Sequence, residues 1–227
     1  DYIDGEEYSV DTVWFKGKPI LNGIMSKGMP EAPNFPDRLY LTDVDLPNEV
    51  RDELLDVCHK AVLAAGVISG STHTEIRMRN GKGYVIESAL RPGAGGTLYS
   101  LFEKSYGVSF YDALVLVSIP ELTDKEIEIL NEISKNKCKA TKRLYWYNMS
   151  YEGYGIIKQI NIPDIAREAE YIDDISIRKK PGEYITKEGD SYSYFGWLIG
   201  EFKNKDSFDN YYALLKGIEK QIKIDYI

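Results

Sequence analysis

Cysteine is nearly absent: Cys58 and Cys138 are the only two in 227 residues. Two cysteines cannot build a disulfide framework, and neither sits in a CxxC or metal-ligand spacing. A reducing, cytoplasmic setting is the expectation. Cys58 falls inside a helical apolar pattern and reads as core. Long apolar runs are missing too. The longest, 113–119, falls well short of the ~20 residues of a membrane span. No signal peptide opens the chain, so no membrane association is expected. Positive charge is in deficit: 28 Lys plus Arg against 36 Asp plus Glu leave a net charge of −8. Phosphate contacts need clustered cations, so nucleic acid is not an expected partner. The densest basic groups, 77–79 and 178–180, read as solvated faces. Internal repeats and low-complexity segments are lacking as well.

What is present is ordinary for a folded protein. Hydrophobic residues make up 43 % and charged residues 28 %, which excludes global disorder and collagen-like material. The length fits one large domain or two small ones. The chain starts at Asp1 in mid-pattern: Tyr8, Val10, Thr12 and Trp14 alternate with Ser9, Asp11, Val13 and Phe15. That reads as a strand already under way, and the expectation is that an N-terminal part of a longer protein is missing.

Strands are predicted over 2–15 and 18–25, joined by Lys16-Gly17-Lys18. A Pro- and Gly-rich loop follows over 26–38, then a short extended segment over 40–45. Pro47 opens a helix whose apolar face is Val50, Leu54, Val57, Ala61 and Val62, closed by Gly66. Residues 73–79 and 84–89 read as a hairpin around Asn80-Gly81-Lys82-Gly83. A glycine-rich loop, Arg91-Pro92-Gly93-Ala94-Gly95-Gly96, precedes two helices over 97–105 and 109–117.

The second block starts after a boundary near 118–122. Thr123 and Glu126 form a capping box for a helix that buries Ile127, Leu130 and Ile133. Strands are expected over 143–149, 154–162, 171–178, 183–187 and 192–200, with Gly153, Pro181-Gly182 and Gly189-Asp190 between them. A last helix covers 207–222. The fold class is α+β, with domains at 1–120 and 121–227.

Chemistry concentrates in the hairpin. If Glu75 pairs with Glu87, two carboxylates face each other with Cβ atoms ~5 Å apart. A divalent cation relieves such a pair, and Mg²⁺ favours a few carboxylates plus phosphate oxygens. A four-residue loop pairs Arg79 with Tyr84 and places the two Glu on opposite faces. Aligning them needs a three-residue loop or a bulge. On spacing alone, exposed strand residues are the favoured reading of both Glu. The loop after them adds weight. Arg91, the backbone N–H groups of the glycines and a following helix N-terminus suit an anion. Two acidic residues, an Arg and an anion-cradling loop are the parts of a phosphoryl-transfer site.

In order along 1–117, several segments resemble one family. They are Gly5-Glu6-Glu7-Tyr8-Ser9-Val10, Ala64-Ala65-Gly66-Val67, Gly70-Ser71-Thr72-His73-Thr74-Glu75, Val85-Ile86-Glu87 and Arg91-Pro92-Gly93. Together they look like the C-terminal lobe of the ATP-grasp fold. The subgroup they resemble is the carboxylate–amine ligases, which include L-amino-acid ligases and carbamoyl-phosphate-synthase-like proteins. The second block resembles, more loosely, the β-rich C-terminal domain of amino-acid ligases. Lys180-Pro181-Gly182-Glu183 and Tyr194-Phe195-Gly196-Trp197-Leu198-Ile199-Gly200 carry that likeness.

The resemblance implies an antiparallel lobe followed by a smaller β-rich domain with a terminal helix. It implies an ADP-forming ligase with ATP as co-substrate and Mg²⁺ or Mn²⁺ as cofactor. An acyl-phosphate made from a small carboxylate, an amino acid, would be attacked by an amine. Glu75 and Glu87 match the metal-binding, phosphate-holding carboxylates, and Glu7 an acidic residue near the nucleotide. Arg91 matches the Arg that steadies the transferred phosphoryl group. Gly93, Gly95 and Gly96, with Arg91, would line the substrate site, and His73 beside it would be a substrate-binding or a purely structural residue. The family's usual Asn two residues after the second Glu is Ala89 here. That departure leaves open a non-catalytic relative that binds nucleotide or a partner. The family's other lobe, with its phosphate-binding lysines, is expected upstream or in a partner subunit. The 18 tyrosines fit half-buried strands better than a homodimer interface, which stays open as the alternative.

Overall fold

A computed structural model describes residues 1–32, 34–135, 139–151, 153–186 and 194–227. Cys138 and the Gly189-Asp190 turn lie outside them. In chain order the strands begin with β1 (Glu6–Phe15), β2 (Lys18–Gly28), β3 (Leu39–Thr42), β4 (Gly70–Arg79) and β5 (Lys82–Ala89). They continue with β6 (Arg143–Met149), β7 (Gly155–Asn161), β8 (Asp174–Ile177), β9 (Tyr184–Ile185), β10 (Gly196–Phe202) and β11 (Lys223–Tyr226). The helices are α1 (Asn48–Ala64), α2 (Thr97–Tyr106), α3 (Phe110–Val117), α4 (Asp124–Lys135), α5 (Ile165–Glu168) and α6 (Phe208–Glu219). Among the described residues no helix is long and apolar enough to cross a membrane.

The chain divides into two compact units: 1–29 with 42–143, and 30–41 with 144–227. In the first, strands run in the order β5-β4-β1-β2, each antiparallel to its neighbour. One face of this sheet is apolar. Tyr8, Val10, Trp14, Ile24 and Ile76 pack there against Leu54, Cys58 and Val62 of α1. The alternation read in 8–14 is therefore real, and Cys58 is core. The other face carries the odd-numbered residues of β1 and β4, which are polar except for Val13 and Phe15 at the far end of β1. Helix α4 has its capping box, with the Thr123 N–H and Oγ1 both 2.7 Å from Glu126. It packs on β2 and α3 of this unit, although the sequence groups it with the second block. Only Leu130 of its three expected core residues is fully buried, while Ile127 is exposed.

In the second unit, β3, β6, β10 and β8 neighbour one another in that order. Their core is aromatic: Phe202 stacks between Tyr145 at 4.6 Å and Tyr211 of α6 at 4.1 Å. Arg38 ties residues 30–41 to this unit through Glu219 at 2.5 Å. The predicted strand over 171–178 is shorter, preceded by the single turn α5. The terminal helix is present but does not end the chain. Strand β11 follows it and pairs with β7, its period-2 pattern too short to read.

Close packing leaves no room at Gly23 of β2. A Cβ there would sit 2.6 Å from three ring atoms of the buried Phe102. Gly23→Ala is expected to cost about 1–3 kcal/mol through overpacking. Urea denaturation measures it, and an unchanged midpoint contradicts this account.

Candidate functional site

Two one-residue irregularities shape the polar face. The β4–β5 turn is the two-residue Asn80-Gly81, both at positive φ (54° and 74°), as a tight twisted hairpin needs. Arg79 pairs with Lys82 and Arg77 with Tyr84, so Lys82 and Gly83 are strand and not turn. Continued unbroken, that register would set Glu75 against Ile86. A bulge between Ile76 and Glu75 absorbs Ile86, and Glu75 pairs with Glu87. Of the two devices open from sequence, the bulge is the one used. A second bulge lies on β2: Glu7 pairs with Gly28 but Tyr8 with Ser26, leaving Lys27 as the extra residue.

Lys27 reaches across the sheet. Its Nζ lies 2.5 Å from Glu7 Oε1 and 2.7 Å from Glu75 Oε1. Glu7 Oε2 accepts from Arg77 Nε at 2.8 Å. His73 Nε2 is 3.6 Å from Glu75 Oε1, and His73 Nδ1 is 2.9 Å from Asp11 Oδ2. Asp11 Oδ1 accepts from the Gly93 N–H at 2.7 Å. A row of alternating charge results: Arg77, Glu7, Lys27, Glu75, His73, Asp11. Arg77 is thus buried and paired, not part of a solvated face as its cluster suggests. Burial makes pairing obligatory for these groups.

The electrostatics follow from that row. Burial alone would lower the His73 pKa, but the Asp11 and Glu75 carboxylates outweigh it and hold it up at about 10. Burial alone would raise Glu75, but the hydrogen bond from His73 and the Lys27 charge outweigh it and hold it down at about 2. At neutral pH the row therefore contains three cations and three anions. Glu87 stands outside it. It is exposed and faces Glu75 directly, so it adds one negative charge at the open side of a neutral array.

The glycine loop is anchored to the same array. Residues Gly93–Gly96 form a single 3-10 turn. A Cβ at Gly93 would lie 2.5 Å from His73 Nδ1 and 2.9 Å from Asp11 Oδ1, so only glycine fits. Gly96, at φ 97°, caps α2 with no side-chain hydrogen bond, and the Thr97 N–H donates to the Ala94 carbonyl within the turn, so only the N–H groups after it belong to the helix N-terminus that suits an anion. The Gly96 carbonyl accepts from Tyr111 Oη at 2.5 Å. Gly95 lies in the same turn by its backbone, and its surroundings are outside the described residues. Arg91 is exposed, and its Nη1 donates to the Pro92 carbonyl at 3.0 Å. The structure thus joins Glu7, Glu75, Glu87, His73 and Gly93. It brings Arg91 to the loop that adjoins them without a contact to the carboxylates. Sequence reasoning passed over Asp11 and Lys27. For Asp11 the signal was an acidic residue inside an otherwise buried alternating strand.

Residues 1–99 match the model of the ATP-grasp domain. Among solved structures, the chain is similar to an L-amino acid ligase from Bacillus licheniformis, with 22 % identity and a TM-score of 0.81. That match covers 100 % of this chain and 55 % of that one. It is similar to phosphoribosylglycinamide synthetase from Anaerococcus prevotii at 20 % identity and a TM-score of 0.74, covering 100 % and 55 %. It is similar to the biotin carboxylase domain of a Hydrogenobacter thermophilus 2-oxoglutarate carboxylase, in a complex that includes MgADP and bicarbonate. There the identity is 14 % and the TM-score 0.61, covering 97 % and 46 %. The chain spans about half the length of these structures. No curated protein matches the sequence. Residues 1–99 are an ATP-grasp segment, and the chain has the ATP-grasp fold.

Two outcomes test the array. Asp11→Ala strands the His73 charge and the Gly93 N–H, and should cost about 3–5 kcal/mol by denaturant titration. A loss near zero contradicts the pairing. The His73 contribution is fully present below pH 6.5 and is lost as pH rises through about 10. Stability measured from pH 6 to pH 10 should therefore fall, and His73→Gln should remove most of that slope. An unchanged slope in the variant rules the ion pair out as its source.

Proposed function

We propose that this chain, an ATP-grasp segment over residues 1–99 and ATP-grasp in fold, is part of an ATP-dependent, ADP-forming carboxylate–amine ligase. It would work through an acyl-phosphate on an amino acid, in the reducing cytoplasm that a buried free Cys58 suits. The observation that carries the reading is the bulged hairpin, which sets Glu75 opposite Glu87 beside the Asp11-anchored glycine loop.

The residues fit a divalent cation. Two carboxylates face each other, one ionised down to about pH 2 and one exposed at the edge of a charge-balanced row. Glu75 and Glu87 would hold Mg²⁺ or Mn²⁺, which when bound neutralises charge on the ATP phosphates. Ala89, opposite His73 in the ladder, offers no ligand atom.

The chain's own groups supply the remaining parts. Lys27, held between Glu7 and Glu75, keeps a positive charge at the phosphate side. Arg91 would orient the transferred phosphoryl group and the acyl-phosphate. The glycine turn Gly93, Gly95 and Gly96 would line the anionic end of the substrate at the N-terminus of α2. His73 positions Glu75 and carries no proton in the reaction. The chain's span of about half its structural neighbours supports a second lobe, from the same protein or a partner subunit, that completes the ATP site.

Ala89 favours one second reading: a relative that binds nucleotide or a partner without turnover. In the intact protein, Glu87→Gln should lower ATP turnover by about a hundredfold or more with an unchanged melting temperature, since Glu87 is exposed. Unchanged turnover would sink the ligase reading. Ala89→Asn separates the alternatives. A gain in turnover supports an enzyme with one weakened ligand position. No turnover in either form, with MgADP still raising the melting temperature by mass action, supports the binding module.

A further inference from the structure

The unit formed by 30–41 and 144–227 contains a cleft of 390 Å³ that no part of the proposed reaction uses. Its size lies within the range of small-molecule sites. Three lysines line it: Lys216 and Lys220, one turn apart at the end of α6, and Lys223 at the start of β11. Apolar and aromatic side chains form the rest of its wall, chiefly Phe195, Ile222, Ile224 and Tyr151. Phe195 and Ile222 are buried, so the wall is part of the core and not a loose surface patch.

The charge of the cleft is positive once its carboxylates are accounted for. Glu219 is fully engaged: Oε1 accepts from the Ser150 N–H at 2.5 Å and Oγ at 2.8 Å, and Oε2 from Arg38 at 2.5 Å and from the Tyr147 hydroxyl. Its charge is matched by Arg38. Asp225 accepts from Asn161 Nδ2 at 3.1 Å. Among the described residues none of the three lysines has an ion-pair partner. Lys216 lies over the Tyr212 ring at 5.2 Å. Compensation of the helix end explains Lys216 and Lys220. It explains neither Lys223 nor the apolar wall that all three border.

We infer that this cleft binds a small organic anion: an acidic head group met by the lysines, carried on a flat apolar body that packs against Phe195 and Tyr151. The head group gains charge-assisted hydrogen bonds, and the body gains burial. Neither alone uses both parts of the lining. The inference does not rest on the ligase reading.

The test uses the 227-residue chain and 8-anilinonaphthalene-1-sulfonate, an aromatic anion whose fluorescence rises on burial. Saturable binding is expected. Benzoate and phenyl phosphate should displace it, whereas acetate and inorganic phosphate at equal concentration should not. The double variant Lys220→Glu, Lys223→Glu should weaken binding by about tenfold or more, while Lys125→Glu on the exposed side of α4 leaves it unchanged. Both lysines are exposed, so the variant should keep its melting temperature. If it does not, Lys223→Gln alone serves, with a smaller loss. Binding that is indifferent to the lysines, displacement by inorganic phosphate as effective as by phenyl phosphate, or no saturable binding each overturns the proposal.

Discussion

A carboxylate with no solvent exposure sits at the centre of the first unit. Asp11 has no water to share its charge, so both oxygens must find donors within the protein. One takes the His73 ring and the other the Gly93 backbone. Much follows from these two bonds. His73 must lie opposite Asp11 in the ladder, which fixes the β1–β4 register. Residue 93 must be glycine, because any Cβ would collide with both partners. The glycine loop must then pass directly over the strand that carries Glu75. A single buried charge in this way couples the middle strand of the sheet to the start of α2.

The bulges are the second constraint. Side chains alternate faces along a strand, so one extra residue moves everything beyond it to the other side. Ile86 does this for Glu87. Lys27 is itself the extra residue on β2, which frees its side chain from ladder spacing and lets it bridge Glu7 and Glu75. These two irregularities lie toward one end of the sheet, a third shift falls at Val13/Trp14 on the β1–β2 side, and the β1–β4 pairing is unbroken from Glu6 to Trp14. The unbroken β1–β4 ladder positions the apolar face on α1, and the bulges at Lys27 and Ile86 position charge.

Much of this was readable beforehand, for identifiable reasons. The apolar face of α1, the capping box of α4 and the presence of the β4–β5 hairpin depend on residues close in sequence. The ordered segments from Gly5 to Gly93 fixed the fold class because their order is far more specific than any one of them. What escaped depends on distance. The strand pattern marks Asp11 only as an acidic residue among buried neighbours; its role arises from residues 62 and 82 positions away. Lys27 looked like part of a loop because its bulge is visible only in the pairing. Arg77 looked solvated because its partner, Glu7, is on another strand. The four-residue turn failed because Gly83 resembles a turn residue, yet in the strand it packs beside Val57 and Ile76 where a larger side chain would crowd them.

The structural neighbours carry the names of an amino acid ligase, a phosphoribosylglycinamide synthetase and a biotin carboxylase. One fold accommodates all three, so it carries no information about the substrate. The charge array says more about what the proposed site would bind first. Three cations balance three anions, and Lys27 already occupies one oxygen of Glu75. On the proposed reading, a divalent ion would be offered the exposed Glu87 and the other oxygen of Glu75, with a methyl group at position 89. Mg²⁺ needs about six ligands and retains several waters when carboxylates are few. A site with so few free oxygens gains little from the bare ion. It gains far more when phosphate oxygens arrive with the metal. On the proposed reading, a metal–nucleotide complex would therefore be favoured over a standing metal centre.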